Sequence, residues 1–274
     1  MFIPYFPKYP LNQYVKMIWY HNATVSYEKE RILPTGTVEL IINLGSPTQV
    51  FLDNGIQVNK EFWVCGMHTG SILHQPIAET HMIGVSFKPF GALPFLKVPM
   101  SELKNSLVNL ELIWGNEPFE LKQQLLAQKS VRDHFLTVET FLTAKLSNRQ
   151  NHFAAIIAWL DLQLSSSREV HLEDLYQKIG YSKRHIIQEF RKFVGLTPKD
   201  LKQIYRFNDA LKAIDPNQIN WTSLALTCDY YDQAHFNNQF KNFSGLTPSE
   251  YVQFRNQFLN TPSQGEDVHF VPVS

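Results

Sequence analysis

Two stretches of this 274-residue chain place amide and guanidinium side chains where they could pair with nucleic-acid bases. In YSKRHIIQEFRKF, residues 181–193, Ile186 and Phe190 form an i, i+4 apolar stripe. A helical turn of about 100° per residue sets Arg184, Gln188 and Arg191 opposite that stripe, with Lys183 and Ile187 flanking. YDQAHFNNQFKNF, residues 231–243, aligns with the first stretch without a gap. Its stripe is Phe236 and Phe240; Ala234, Asn238 and Lys241 lie opposite, flanked by Gln233 and Asn237. Arginine presents a fork to guanine, Asn and Gln pair with adenine, and Ala or Ile can touch a thymine methyl, so both faces suit the major groove. Lys178, Lys192, Lys199, Lys202 and Arg206 cluster around the first stretch and could neutralise phosphates, whereas the second has far fewer cations nearby. The phosphate contacts expected from both stretches are Lys183, Arg191, Lys192, Lys199 and Lys241.

Other constellations point to other chemistry. His68, His74, Glu79 and His81 invite a metal site of the kind that β-barrels build from clustered histidines. The set lacks a tight His-x-His pair, and alternation puts His74 and His81 on separate segments, so no metal is expected. His185 and His235 repeat in register and read as half-buried or phosphate-contacting residues. Glu39 and Asn43 share one face of TVELIINL, residues 37–44; if that strand is covered on both sides they can orient a small ligand, with Arg31 as partner, although a structural or outward-facing carboxylate is the favoured reading. No nucleophile–base pair, glycine-rich phosphate loop or Cys/His cluster is present, so the expectation is a protein without catalytic activity or cofactor. The competing reading is a metal-dependent or hydrolytic β-barrel enzyme whose helical part only localises it.

The elements that position the two faces are written in their punctuation. FVGLTPKDL at 193–201 returns as FSGLTPSEY at 243–251, 50 residues later. Glycine suits the left-handed position past a helix end; Thr197 then caps the next helix, Pro198 takes its first position, and Asp200 falls three residues after the cap. Thr247, Pro248 and Glu250 do the same. Ser182 and Asp232 cap the two base-facing helices at their N-termini. A short apolar-periodic run precedes each: Leu172, Leu175 and Ile179, then Trp221, Leu224 and Cys228, offset by 49, so the second copy has one extra residue in its turn. Two helices across so tight a turn make a helix-turn-helix, and the chain has two.

The rest of the chain divides by periodicity. Up to about residue 90 short apolar or alternating runs (37–44, 48–52, 61–65, 81–87) separated by Gly, Pro, Asn and Asp predict a β-sandwich or barrel. Two helices beyond Pro118 close this domain, 1–147; the polar SNRQNH, 147–152, is the linker. An all-α domain, 153–258, follows, its first helix striped by Phe153, Ile156, Ile157, Leu160 and Leu164. The tail, 259–274, is loose, although HFVPVS could add an edge strand. The class is therefore α+β. Lys+Arg and Asp+Glu balance at 25 each, so no global field draws the chain to a polyanion. The proline-broken N-terminus suits no signal or transit peptide and no run reaches a membrane span, so a cytoplasmic protein with no membrane partner is expected. Cys65 and Cys228 fall in different domains and predict no disulfide.

The helical half resembles a known family. LEDLYQKIGYSKRHIIQEFRKFVGLTP, YRFNDALKAI and LALTCDYYDQAHFNNQFKNFSGLTPSEY are similar to the DNA-binding domain of AraC/XylS-type transcription regulators over about 153–258. The resemblance implies a linker helix from Pro198 to about Ile214 holding two recognition helices in successive major grooves of double-stranded DNA. It places Arg184, Ile187, Gln188, Gln233, Ala234, Asn237 and Asn238 at the base-facing positions. RILPTGTVELIINLG and the stretch from IGVSFKPFG to ELIWG resemble a β-rich domain of unassigned role found ahead of this domain in many bacterial regulators. For a regulator built this way the β-rich domain is expected to sense a small effector or to mediate homodimerisation, with RNA polymerase as partner if the protein activates. Two departures stand out: Asp229 occupies the place of the usual turn glycine, and Tyr176 that of a small residue. Together they support a third reading, a protein-interaction module that no longer binds DNA.

Overall fold

A computed structural model of the chain describes residues 1–24, 29–52, 55–59, 61–77, 79–146, 152–166, 171–216, 218–258 and 269–273. Its strands are β1 Phe2–Tyr5, β2 Val15–Ala23, β3 Lys29–Ile32, β4 Val38–Asn43, β5 Thr48–Leu52, β6 Gly55–Asn59, β7 Phe62–Cys65, β8 Ile72–Pro76, β9 Thr80–Phe87, β10 Leu107–Asn109 and β11 Phe270–Val273. They form two antiparallel sheets, β1-β2-β9-β4-β7-β10 and β11-β3-β8-β5-β6. Among the described residues neither sheet closes into a barrel, and the sandwich is the form that holds.

Alternation explains the layers. On one face of the larger sheet Ile18, Leu40, Ile42, Val64, Ile83, Val85 and Phe87 are buried beneath helices. On the other face Trp63 and Met82, with half-buried Trp19, Ile41 and Cys65, pack against Val50 and Ile72 of the smaller sheet. Burial on both faces is why β4 and β9 read as nearly continuous apolar runs. Trp19 stands opposite Gly84 in register, and a Cβ on Gly84 would lie 2.1 Å from its ring, so glycine there makes room for the indole.

Four helices cover the outer face or its rim: α1 Leu93–Leu96, α2 Glu111–Trp114, α3 Glu117–Leu126 and α4 Val131–Lys145. Seven more follow: α5 His152–Ser166, α6 Leu172–Ile179, α7 Lys183–Val194, α8 Pro198–Ala213, α9 Trp221–Thr227, α10 Gln233–Ser244 and α11 Pro248–Phe258. The expected linker at 147–152 falls outside the described residues except for His152, which opens α5. Of the tail, 259–268 and 274 lie outside them, and the remainder forms β11 at the edge of the smaller sheet. Among the described residues no helix is long and apolar enough to cross a membrane.

Most buried apolar side chains belong to one cluster running from Leu11 to Val271, so the core is continuous between the β-rich and helical halves. The join has three seats. Thr35 and Gly36 receive α8, where Asn208 Nδ2 donates to the Thr35 carbonyl at 3.1 Å. The one-turn helix Met100–Glu102 packs on α7, and Gly70 with Arg31 meets the C-terminal end of α10.

Candidate nucleic-acid interface

Helices α7 and α10 are each held at both ends by local chemistry. The Ser182 hydroxyl accepts from the His185 amide at 3.3 Å, and the Asp232 carboxylate from the His235 amide at 2.7 Å, satisfying N–H groups that the helix leaves unpaired. Gly195 and Gly245 end the helices with φ of 89° and 72°. Thr197 and Asp200 form a reciprocal capping box at the start of α8, and Thr247 and Glu250 repeat it at α11. At Glu250, the backbone hydrogen bond from Thr247 and then its hydroxyl hold the carboxyl below the ordinary range.

Burial orients the faces. Ile186, Phe190, Phe236 and Phe240 are all buried. Arg184, Gln188 and Arg191 are exposed on α7, with Ile187 half-buried beside them; on α10 Ala234, Asn238 and Lys241 are exposed and Gln233 and Asn237 half-buried. Gln233 is engaged at its amide oxygen by the Thr222 hydroxyl, 2.7 Å away, which leaves its NH₂ group to act as donor. An open groove of about 1000 Å³ runs along α7, with Arg184, Ile187, Gln188 and Arg191 on one side and Pro99 and Ser101 of the β-rich half on the other.

The cations divide into two groups. Lys192 and Lys199 are exposed at the end of α7 and the start of α8; Lys192 has only a loose pairing with Glu189 at 3.8 Å. Lys183 is exposed but paired with Glu173, and its ammonium stands 5.7 Å from the centre of the Tyr176 ring. Lys178 is exposed and Lys202 half-buried. Arg206, grouped by sequence with the phosphate-neutralising cations, turns inward instead. It donates to the Asp229 carbonyl at 2.9 Å and to Gln239 Oε1 at 2.7 Å, and lies 4.3 Å from the centre of the Tyr230 ring. Nothing in composition or period distinguished this arginine from its neighbours, because its partners lie 23 and 33 residues away.

The two departures are accommodated. Asp229 takes the left-handed conformation, φ 62°, that Gly180 takes with φ 77° in the first unit. Tyr176 is buried on α6; that burial, and then Glu173, push its hydroxyl up to about 12.

The residues proposed for a small ligand do not converge. Glu39 Oε2 accepts from Trp19 Nε1 at 3.1 Å and from Ser86 Oγ at 2.8 Å, and Oε1 accepts from Thr37 Oγ1 at 2.7 Å. Burial raises this carboxyl above its ordinary range, and the three donors oppose the rise. Asn43 closes its own turn, donating to the Ser46 carbonyl at 2.6 Å and accepting from the Gly45 amide at 3.0 Å. Arg31 belongs to the other sheet and donates to Ser71 at 3.3 Å, so the expected Arg31–Glu39 pairing is replaced by separate partners. His74 is taken up by Glu30, 2.7 Å from Nδ1, and by Thr48, while His81 meets Tyr20 and His134. Among the described residues no group of three His, Cys, Asp or Glu is placed to hold a metal ion. Neither Cys65 nor Cys228 is in a disulfide; burial, and secondarily Glu39, push the Cys65 thiol up.

Known proteins match along the same division. Residues 175–264 match a family described as a helix-turn-helix domain, and residues 4–109 one described as a domain of unknown function, DUF6597. A probable transcription factor, PqrA of Proteus vulgaris, is 28% identical over 96 residues, covering 35% of this chain and 79% of the relative. The transcriptional activator RhaS of Pectobacterium carotovorum subsp. carotovorum (strain PC1) is 25% identical over 153 residues, 54% of this chain and 53% of the relative. The solved structure of ToxT from Vibrio cholerae strain SCE256 overlays with a TM-score of 0.48 at 9% identity, covering 91% of this chain and 98% of that one. With its paired helix-turn-helix units and these sequence relatives, the chain carries an AraC-type helix-turn-helix domain of DNA-binding transcription regulators in its C-terminal part.

Proposed function

We propose that the protein reads DNA with both units at once, α7 and α10 entering successive major grooves on one side of the duplex. Arg184, Ile187 and Gln188 of α7 and Gln233, Ala234, Asn237 and Asn238 of α10 meet base edges; Lys183, Arg191, Lys192, Lys199 and Lys241 meet phosphates. The observation that carries this reading is the duplicated presentation: each helix buries its aromatic or aliphatic stripe and leaves its amide and guanidinium side chains facing outward. Base contacts set sequence preference while phosphate contacts set register and affinity, and this division of residues supplies both.

Residues 1–147 act as the controlling unit and 153–258 as the reader. Control passes from the first to the second because Thr35, Met100 and Arg31 touch α8, α7 and the end of α10, so a change that moves any of these seats reaches the reader. The input is a small effector or the pairing of two copies, and contact with RNA polymerase is the output where the protein activates. The exposed, cation-bearing surface belongs to a chain working in the cytoplasm, without catalysis of its own.

Selection of bound duplexes from a random pool, followed by footprinting, tests the reading. Two protected major-groove segments about one helical turn apart are expected. A pool that shows no enrichment after successive rounds, with a protein that remains folded, removes it.

A further inference from the structure

Strand β11 follows the second helix-turn-helix unit along the chain yet belongs to a sheet of the other half. It pairs antiparallel with β3 from Phe270 opposite Ile32 to Val273 opposite Lys29, with Val271 fully buried. The Leu33 amide donates to the His269 carbonyl at 2.8 Å, extending the pairing by one bond. The same short segment also grips the reader. His269 Nε2 lies 3.2 Å from Asn208 Oδ1 on α8, and β11 packs on α11. Asn208 is the residue whose amide also bonds Thr35, so one buried side chain joins the loop before β4, the linker helix and the incoming strand. Arg31, opposite Val271, lies against Gly245 at the end of α10.

We propose that β11 is an intramolecular clasp: by completing the edge of β3 it holds the reader in the arrangement seen here, and its release lets the reader engage DNA more tightly. The proposal rests on the DNA-reading role above. An edge strand presents a row of unpaired N–H and C=O groups that an extended segment can satisfy, and release of β11 withdraws the buried Val271 side chain from the shared core along with that pairing. Release favours DNA because Pro99 and Ser101 wall the groove in front of Arg184, Ile187 and Gln188. A helix entering a major groove about 12 Å wide and about 8.5 Å deep needs its flanks clear of such a wall. Because β11 ties the reader to the β-rich half through Asn208 and α11, its pairing adds to the stability of the walled arrangement and competes with the duplex, and the size of that competition is its effect on affinity.

The test uses the full-length chain and two variants, Val271→Asp, which puts a carboxylate in the buried position, and His269→Ala, which removes only the tie to Asn208. Hydrogen exchange at the Leu33 amide reports the strand, and titration with a selected duplex reports the consequence. Exchange at Leu33 at least about tenfold faster and affinity about five- to tenfold higher are expected for Val271→Asp, with a smaller rise for His269→Ala. A synthetic HFVPVS peptide added to Val271→Asp should bring the affinity back down. Faster exchange with unchanged or weaker affinity overturns the release step, and unchanged exchange overturns the clasp. If Val271→Asp fails to fold, the same two readouts on His269→Ala decide. Equal binding of selected and random duplex by all three proteins overturns the DNA-reading role and the release step together, while the exchange result still decides whether the strand is a clasp.

Discussion

The guanidinium of Arg206, in the helix that links the two units, donates to the backbone carbonyl of Asp229, in the turn of the second unit, at 2.9 Å. The bond falls where the second unit departs from the first, since Asp229 holds a left-handed φ of 62° with a side chain that disfavours it. Arg206 also donates to Gln239 and stacks on Tyr230, so three points of the second unit are tied to α8 by one side chain. Arg206→Ala should destabilise the protein by about 2 kcal/mol, and Arg206→Lys should recover little because a lysine lacks the fork. Asp229→Gly, which keeps the carbonyl and relieves the backbone, should stabilise by about 1 kcal/mol. Denaturant titration of the three variants measures both; a stability loss below a few tenths of a kcal/mol for Arg206→Ala contradicts the tie.

Gly195 and Gly180 both have positive φ, 89° and 77°, yet differ in what stands before them. A Cβ on Gly195 would lie 2.8 Å from the Met100 carbonyl oxygen, while nothing lies within 4 Å of one on Gly180. Gly180→Ala should therefore cost only the backbone term, about 1 kcal/mol, and Gly195→Ala should cost about 2–3 kcal/mol because the β-rich half must also move. Equal losses in thermal or denaturant unfolding would show that the two halves are not seated on each other through this glycine.

How far these features could be read in advance follows from the distance over which each is determined. Caps, the left-handed glycines and the capping boxes are settled within four residues, and Ser182, Asp232, Thr197, Gly195 and Gly245 take the positions their types predict. Strand β5 falls on its expected residues, 48–52, bounded by Pro47. Strand β3, KERI, has a single strongly apolar residue and shows no strand period; it is made by β8 and β11, its partners 40 and more residues away. Buried Glu30 survives there because it meets His74 from β8. The same non-locality hid the inward turn of Arg206 and the wall at Pro99 and Ser101, since an arginine or a serine reads alike whether it faces solvent or a distant segment.

Arg184 is exposed at the second position of α7, inside the groove that the duplex would enter, whereas Lys199 is exposed at the start of α8, to one side of it. Arg184→Ala should weaken binding to the selected duplex by ~1–3 kcal/mol and relax the preference at one base pair. Lys199→Ala should weaken selected and random duplexes alike and reduce the salt dependence by about one phosphate contact. Binding isotherms at two or more salt concentrations separate the two; equal losses on selected and random DNA for Arg184→Ala would move that residue to the phosphate set.

Asp161 of α5 accepts a hydrogen bond from the hydroxyl of Tyr205 on α8, tying the first helix of the reader to the linker helix. Burial raises the Asp161 carboxyl from 3.8 to about 6, against the opposing pull of Tyr205 and Lys88. A carboxyl raised on folding binds its proton more tightly in the folded state, so its contribution to stability is fullest below pH 3.8 and declines as pH rises to about 6. Above that window folding carries a cost of about 3 kcal/mol for keeping the charge buried. Asp161→Asn retains an acceptor for Tyr205 and cannot ionise, so it should be more stable than the wild type by about 2 kcal/mol at pH 8, with the gap closing near pH 4. Denaturant titrations of the two proteins at those pH values check the sign: a variant less stable at pH 8 would mean that the ionised carboxylate is held by stronger donors than Tyr205 and Lys88 supply.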